Sequence, residues 1–287
     1  LADYTIERHF PELARAVDKY ARFFAEVVQR TAKLIAHWQA VGWSHGVLNT
    51  DNMSILGLTL DYGPYGFMDD YDPGFIWNHS DYNGRYAFNQ QPYIGLWNLS
   101  CLAQALLPFA PKEELKAALD GYQTSVDRHY HNHMRAKLGL VEDRAEDEAL
   151  LQELKSLMVG SRVDYTIFWR ELSMFSSDAG AKNERLREHF LNPERFDTWA
   201  VQYRERLQSE QSRDEERRIR MDRVNPKYVL RNYLAQGAIE KAQQKDYSEV
   251  ERLLTLLQQP YTEQPGMNSY AAAPPNWGKH LSVSCSS

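Results

Sequence analysis

The chain is poor in cysteine, in long apolar runs and in net positive charge. Two cysteines in 287 residues do not make a disulfide scaffold, so reducing, cytosolic conditions are the default expectation. No apolar run approaches membrane-spanning length. A net charge of −6 argues against a general nucleic-acid binder, which is usually basic. A hydrophobic content of 43% with seven Trp and 17 Tyr suits a globular protein with a sizeable core.

One segment has the residue types of a metal–nucleotide site. It begins His45-Gly46-Val47-Leu48-Asn49-Thr50-Asp51-Asn52 and closes on Asp61-Tyr62-Gly63. Mg²⁺ takes oxygen ligands, usually one or two carboxylates plus substrate phosphates. In kinases the catalytic-loop Asn and the Asp of Asp-Phe-Gly hold the metals, and Asn52 and Asp61 fit these two roles. The segment predicts a magnesium–nucleotide site, with a structural turn as the alternative.

The usual catalytic carboxylate of such a loop is missing. Small-molecule kinases of the aminoglycoside type read His-Gly-Asp-x-x-x-x-Asn, and Val47 stands at the Asp position of that pattern. A carboxylate returns at Asp51, directly beside Asn52. The loop is therefore predicted to bind nucleotide and metal but not to run an ordinary phosphotransfer.

A glycine-rich phosphate loop is lacking as well. Nothing glycine-rich precedes His45, and no Lys on a predicted strand is available there to hold phosphates. A kinase-like enzyme needs both features in an N-terminal lobe. We therefore expect this chain to be the C-terminal part of a longer protein and to have no appreciable activity alone.

Several segments together resemble the selenoprotein O family, also called SelO or YdiU. The likeness covers the loop above, and it continues through the following motifs: Asp61-Tyr62-Gly63-Pro64-Tyr65-Gly66-Phe67-Met68-Asp69, Asn78-His79-Ser80-Asp81, Gln91-Pro92, Trp97-Asn98-Leu99, Asn225-Pro226-Lys227-Tyr228-Val229-Leu230-Arg231 and Cys285-Ser286-Ser287. In eukaryotic members selenocysteine stands at the position of Cys285. The match spans essentially the whole chain.

The resemblance implies a fold and a reaction. The fold would be mainly α: the C-terminal lobe of a protein-kinase-like fold, with a short β hairpin at the catalytic loop and family-specific C-terminal helices. Members bind the nucleotide in a flipped orientation and transfer AMP from ATP, with Mg²⁺ or Mn²⁺, to Ser, Thr or Tyr hydroxyls of proteins; UMP transfer from UTP is also attributed to them. Asp51 is then the candidate base, and Asn52 and Asp61 are the metal ligands, Asp61 reaching ATP through the metal. The resemblance implies a cytoplasmic protein in bacteria and a mitochondrial one in eukaryotes.

Two rival functions remain open at this point. One is a conventional kinase, against which Val47 argues. The other is a pseudokinase-type scaffold that binds nucleotide without catalysis. Neither a membrane nor a nucleic acid is expected as a partner.

Cys285 is a redox candidate through the resemblance. Family members commonly have Cys at the place of Trp77, and that Cys is thought to pair with the C-terminal one as a latch on the active-site loop. Trp77 cannot form this bond, so the latch is in doubt here. Cys101 is predicted to be a small core residue, with pairing to Cys285 as the alternative.

The family resemblance and the apolar periodicity together predict three parts of the chain. Residues 1–108 are predicted as the kinase-like core with the catalytic loop and an irregular loop over 62–90, residues 109–260 as a helical extension, and residues 261–287 as an extended tail. Apolar spacing predicts a helix within 15–40 and a buried helix over 94–107, and residues 53–61 predict a short strand or hairpin. Three N-terminal cap signals are also present: Asn192-Pro193, Asn225-Pro226 and Ser248 with Glu251.

Two other polar clusters have ordinary explanations. Asp69, Asp70 and Asp72 lack the calcium-loop spacing, so we predict a solvated loop, with substrate contact as the alternative. His129 and His133 have a spacing that can hold zinc on a helix, but no further ligand is identified, which favours polar helix surface.

Overall fold

The chain folds into a largely helical structure with one small sheet. This computed structural model describes residues 1–281 and 283–284. Its α-helices are α1 (Ala2–His9), α2 (Lys19–Val41), α3 (Gln91–Leu106), α4 (Lys112–Asp120), α5 (Tyr122–Lys137), α6 (Asp147–Ser161), α7 (Tyr165–Glu171), α8 (Glu184–Arg187), α9 (Pro193–Ser209), α10 (Asp214–Asp222), α11 (Asn232–Gln243) and α12 (Ser248–Leu257). The two strands are β1 (Trp43–Ser44) and β2 (Gly66–Phe67). The prediction of a mainly α chain is confirmed, and none of the described helices is both long and apolar enough to cross a membrane.

Helix α2 lies directly before β1 and the loop that contains the motif. Its apolar residues recur at helical spacing, and Phe24, Val28 and Ile35 are buried on one face. The helix ends at Gly42, which has φ 71° and donates its amide to the Trp38 carbonyl. This left-handed C-cap favours glycine, and an added Cβ would lie 2.6 Å from the Tyr165 ring. The chain therefore turns sharply into β1.

The sheet flanks the motif loop and does not lie within it. Strands β1 and β2 pair antiparallel, with Trp43 opposite Phe67 and Ser44 opposite Gly66. The predicted strand or hairpin over 53–61 is wrong: Gly57 closes a turn onto the Ser54 carbonyl, and residues 58–61 continue without strand pairing. Met53, Ile55 and Leu56 pack instead against the core formed with α2 and α3.

Two hydrophobic clusters form the core of the described chain. The first runs from Ile6 to Val126 and joins α1–α5 around α2. The second extends from Met134 to Met221 and also takes in Met68, Tyr71 and Trp77 from the irregular loop. Residues on both sides of the predicted 108/109 boundary belong to the first cluster, and the three-part division stays a prediction.

The three cap signals had different outcomes. The Asn192 side chain accepts the Arg195 amide at the start of α9, which confirms that cap. The prediction for Asn225 is wrong, because its side chain is buried and donates to the Lys137 carbonyl, and the next helix begins only at Asn232. Helix α12 begins at Ser248 as predicted, but without the capping box; the Asp246 carboxylate accepts the Ser248 amide instead.

Candidate functional site

His45 is a buried anchor at the start of the motif loop. Its Nε2 lies 2.9 Å from the carbonyl oxygen of Leu60, the residue before Asp61. Because a carbonyl only accepts hydrogen bonds, Nε2 carries a proton in this arrangement. Burial lowers the pKa of His45, and the Leu60 carbonyl and the Asp61 charge oppose that shift. A second bond, from Trp38 Nε1 to Thr59 Oγ1 at 3.0 Å, holds the same part of the loop against α2. The residues just before Asp61 are called the Asp61 arm below, and those around Asn52 the Asn52 arm.

Gly46 allows the two sides of the loop to approach each other. It has φ 78°, and an added Cβ would lie 2.0 Å from the Pro64 carbonyl oxygen. Only glycine has both the conformational freedom and the space for this position.

Asp51 and Asn52 lie together in a short 3₁₀ turn, Thr50–Asn52, but their side chains have different surroundings. Asn52 is half-buried and donates Nδ2 to the Val47 carbonyl at 2.9 Å. Asp51 is exposed, and no hydrogen bond to its carboxylate occurs in the part of the chain that the structure describes. The turn therefore presents a tethered amide beside a free carboxylate.

Asp61 has an unusual backbone conformation. Its φ of 58° lies in the left-handed region, where Asp and Asn are the non-glycine residues most often found. Its carbonyl accepts the Gly63 amide at 2.9 Å, and its side chain is exposed. The turn thus directs an exposed carboxylate out of the loop immediately after the His45 anchor.

Both arms of the loop are fastened to one short stretch of backbone. The Asp61 arm is held by His45, and the Asn52 arm is held by Val47. Residues 45 and 47 are two steps apart, so their Cα atoms are at most about 7 Å from each other. The loop is a closed structure in which residues far apart in the motif are tied to a common base.

The donor set agrees with a Mg²⁺ or Mn²⁺ ion. Two exposed carboxylates, Asp51 and Asp61, and the Oδ1 of Asn52 are hard oxygen donors, and Asn52 uses its NH₂ group for the loop and so turns Oδ1 away from Val47. Within residues 1–281 and 283–284, no group of three or more His, Cys, Asp or Glu side chains is placed to hold a metal. Any ion here would take one or two carboxylates plus other oxygens, which is the usual pattern for a nucleotide-bound Mg²⁺.

Three further residues that hold the loop were not identified from the sequence. Gln91 and Asn98 on α3 bond the loop backbone, and the hydroxyl of Tyr86 donates to the Asn49 side chain. Gln91 and Asn98 stand in segments that carry the family resemblance, but nothing in the sequence links them, or Tyr86, to the backbone of the loop.

The acidic cluster of the irregular loop is structural in part. Asp69 pairs with the buried Arg231, which also bonds Asp164 at 2.9 Å at the start of α7. Asp70 lies 3.5 Å from Arg162 and 3.4 Å from Lys279. The prediction of a solvated loop is therefore wrong for Asp69, because this loop is tied to the C-terminal half of the chain.

The C-terminal tail reaches the irregular loop. The His79 amide donates to the Val283 carbonyl at 2.8 Å, and Trp77 packs closely over Gly66. Cys285 lies outside the described residues, so its role as a redox candidate stays a prediction. Cys101 is a partly buried free thiol on α3.

One histidine of α5, His133, contacts another imidazole. His133 stacks on His37 of α2 with ring centroids 4.8 Å apart. Burial lowers the pKa of His133 to about 4. The ring therefore takes part in helix packing as well as facing solvent.

The sequence matches one known protein family. The family model described as Protein adenylyltransferase SelO matches residues 1–258. A protein nucleotidyltransferase YdiU of Myxococcus xanthus is 58% identical over 287 residues, covering 100% of this chain and 59% of the relative. Relatives of the same name in Thioalkalivibrio sulfidiphilus and Vibrio cholerae are 56% and 50% identical, each over 293 residues, again covering 100% of this chain and 59% of the relative.

The chain belongs to the SelO family. It spans 59% of the length of these relatives.

Proposed function

We propose that the loop from His45 to Asp61 is the metal-binding and hydroxyl-activating part of a protein adenylyltransferase site. Such an enzyme would transfer AMP from ATP to Ser, Thr or Tyr hydroxyls of proteins, with UTP as a second nucleotide donor. The observation that carries the proposal is the anchoring of both arms at the start of the loop: His45 bonds the backbone just before Asp61, and Val47 bonds the side chain of Asn52, the neighbour of Asp51. The names of the relatives, protein nucleotidyltransferases, support the same class of reaction.

Asp51 is the proposed general base. The protein hydroxyl would lose its proton to the Asp51 carboxylate while its oxygen bonds to the α-phosphorus of ATP. The bond between the α-phosphorus and the bridging oxygen to the β-phosphate breaks, and pyrophosphate leaves with the bonding electrons. The exposure of Asp51 supports this role, because a base must reach the proton of an incoming substrate.

Asn52 and Asp61 are the proposed metal ligands, and a bound Mg²⁺ or Mn²⁺ would neutralise the charge of the phosphates. Val47 holds the side chain of Asn52, and the turn at Asp61 fixes the backbone from which its carboxylate projects, so the amide and this backbone are in place before a nucleotide arrives. Preorganised groups of this kind avoid a rearrangement during the reaction. We also propose that the surrounding helices are the C-terminal lobe of a kinase-like fold, whose other lobe holds the phosphates.

The test uses a full-length protein of the family that carries this sequence. Asp61→Asn removes the charge and keeps a residue that accepts the left-handed conformation. We expect transfer from labelled ATP to protein to disappear, whereas Asp178→Asn, in an exposed turn before α8, should leave it unchanged. Intact-mass analysis of the substrate would identify an adenylate adduct; a phosphate adduct would favour a conventional kinase, and undiminished labelling by Asp61→Asn would favour the scaffold. The isolated chain is expected to show no appreciable transfer.

A further inference from the structure

Helix α3 carries three residues that face the motif loop and its support. Gln91, Gly95 and Asn98 follow the i, i+4, i+7 spacing that places side chains on one helix face. All three are buried. Two of them are amides, and buried amides are expensive unless they are hydrogen-bonded.

Gln91 clamps the end of β1. Its Oε1 accepts the His45 amide at 3.0 Å, and its Nε2 donates to the Trp43 carbonyl at 3.0 Å. The side chain is only 1% exposed, so water does not compete for these bonds. His45 in turn bonds the Leu60 carbonyl, so Gln91 is connected to the arm that ends in Asp61.

Asn98 holds the other arm. Its Nδ2 donates to the Leu48 carbonyl at 2.9 Å and contacts the Met53 sulfur. Leu48 and Met53 lie on either side of the turn that carries Asp51 and Asn52. The two amides thus reach the two arms from one rigid element.

Gly95 fixes the position of this helix. An added Cβ would lie 2.3 Å from Ile35 of α2 and 2.6 Å from the Tyr122 hydroxyl of α5. The close approach seats α3 against two other helices. The seven steps from Gln91 to Asn98 span about 10 Å along the helix axis.

We propose that α3 acts as a template whose two buried amides, Gln91 and Asn98, set the relative position of Asp61 and the Asp51–Asn52 pair. Both are positioning residues, because they act through the loop and touch no substrate. This inference rests on the proposed function. It assigns the spacing of the metal ligands to a helix that lies after the loop in sequence.

The experiment measures Mn²⁺ affinity and transfer kinetics in the full-length protein that carries this sequence. Gln91→Met and Asn98→Leu keep the number of side-chain heavy atoms, except that Met lacks the branch, and remove the bonds to the loop. Each should weaken Mn²⁺ binding in the presence of ATP by about 10- to 100-fold, the range found when groups that orient metal ligands are lost. The value of kcat should fall with little change in KM for the protein substrate. Gln104→Met, the same change on an exposed turn of α3, should alter neither quantity.

Two readouts separate positioning from simple support of the fold. Thermal unfolding must remain cooperative in the variants, and the His45 amide should exchange with solvent faster in Gln91→Met than in Gln104→Met.

The outcomes distinguish the two proposals. Folded Gln91→Met and Asn98→Leu proteins with unchanged Mn²⁺ affinity would overturn the template alone, provided that Asp61→Asn loses the ion. Loss of binding strictly in step with loss of folded protein would also overturn it. Unchanged affinity in Asp61→Asn as well would overturn the proposed function together with the template.

Discussion

The imidazole of His45 lies 2.9 Å from the carbonyl oxygen of Leu60 and so fixes the backbone just before Asp61. Two residues later, the Val47 carbonyl accepts a hydrogen bond of 2.9 Å from the side-chain Nδ2 of Asn52. The loop is therefore held at its start by the imidazole of His45 and the carbonyl of Val47.

Gly46→Ala should damage the loop more than a typical surface substitution. The added methyl would meet the Pro64 carbonyl at 2.0 Å in a backbone conformation that alanine rarely adopts. We expect a loss of more than about 2 kcal/mol in the free energy of unfolding, measured by urea denaturation. The control is Gly160→Ala in α6, where a Cβ meets nothing within 4 Å; it should stabilise the helix by up to about 1 kcal/mol. Equal effects at the two positions would contradict the role of Gly46.

Asp51→Asn should affect the rate of transfer and not the binding of nucleotide. A general base contributes about 10²- to 10⁴-fold, and the amide cannot accept the proton. Steady-state kinetics of the full-length protein should therefore show a fall in kcat of at least about 10²-fold with little change in KM for ATP. The exposed Asp178→Asn serves again as the control. A normal kcat in Asp51→Asn would assign the base to another residue.

Arg231→Met should loosen the irregular loop. Arg231 is 1% exposed and bonds both Asp69 and Asp164, so its removal leaves two carboxylates without their cation. Breaking a buried pair in this way costs about 3–5 kcal/mol, which thermal or urea unfolding would register. Arg218→Met removes a half-exposed guanidinium 3.8 Å from Asp222 and should cost less than about 1 kcal/mol. A small effect of Arg231→Met would show that the loop has other sufficient anchors.

The buried Lys137 should make the free energy of unfolding depend on pH. Burial lowers the pKa of Lys137 to about 7, and its ammonium lies over the Tyr165 and Trp169 rings at 5.5 and 4.9 Å from their centroids. No carboxylate pairs with it among the residues described. Between pH 7 and the ordinary lysine pKa, the unfolded chain binds a proton that the folded one has released, so stability rises with pH.

Lys137→Met should remove this rise and raise the free energy of unfolding at pH 6.5 by about 1–3 kcal/mol, because the folded state no longer buries a charge. Urea denaturation of wild type and variant at pH 6.5 and 9.5 gives the difference directly. Lys182→Met, at an exposed position, should follow the wild type at both pH values. A persistent difference between the two pH values in Lys137→Met, as large as that of the wild type, would disprove the assignment.

The helices and the chemical groups of the loop could be predicted from the sequence, and the supports of the loop could not. Asp51, Asn52 and Asp61 stand in a motif with its own residue types, and the stripe of α2 follows a simple period. The bonds from His45, Gln91 and Asn98 go to backbone carbonyls and an amide, which every residue offers. Gln91 also lies 46 residues after its partner His45, so no local pattern links them.

Two wrong predictions have a common physical cause. The apolar alternation over 53–61 satisfies core packing without a strand partner, and Asn225 uses its amide to bond a distant carbonyl instead of a helix start. In both cases the side chains have the properties on which the prediction rested, but tertiary contacts, and not local secondary structure, satisfy them. Asn192 kept its predicted role because its side chain is exposed and meets only its own helix.

The bond between Arg231 and Asp69 joins residues 162 positions apart in sequence. During synthesis on the ribosome, the whole loop from His45 to Asp61 would leave the exit tunnel long before Arg231 is made. At ordinary translation rates of about 5–20 residues per second, the flank at Asp69 would wait roughly 8–30 seconds for its partner. The nascent chain would thus pass through a period in which its proposed catalytic residues are present but incompletely supported.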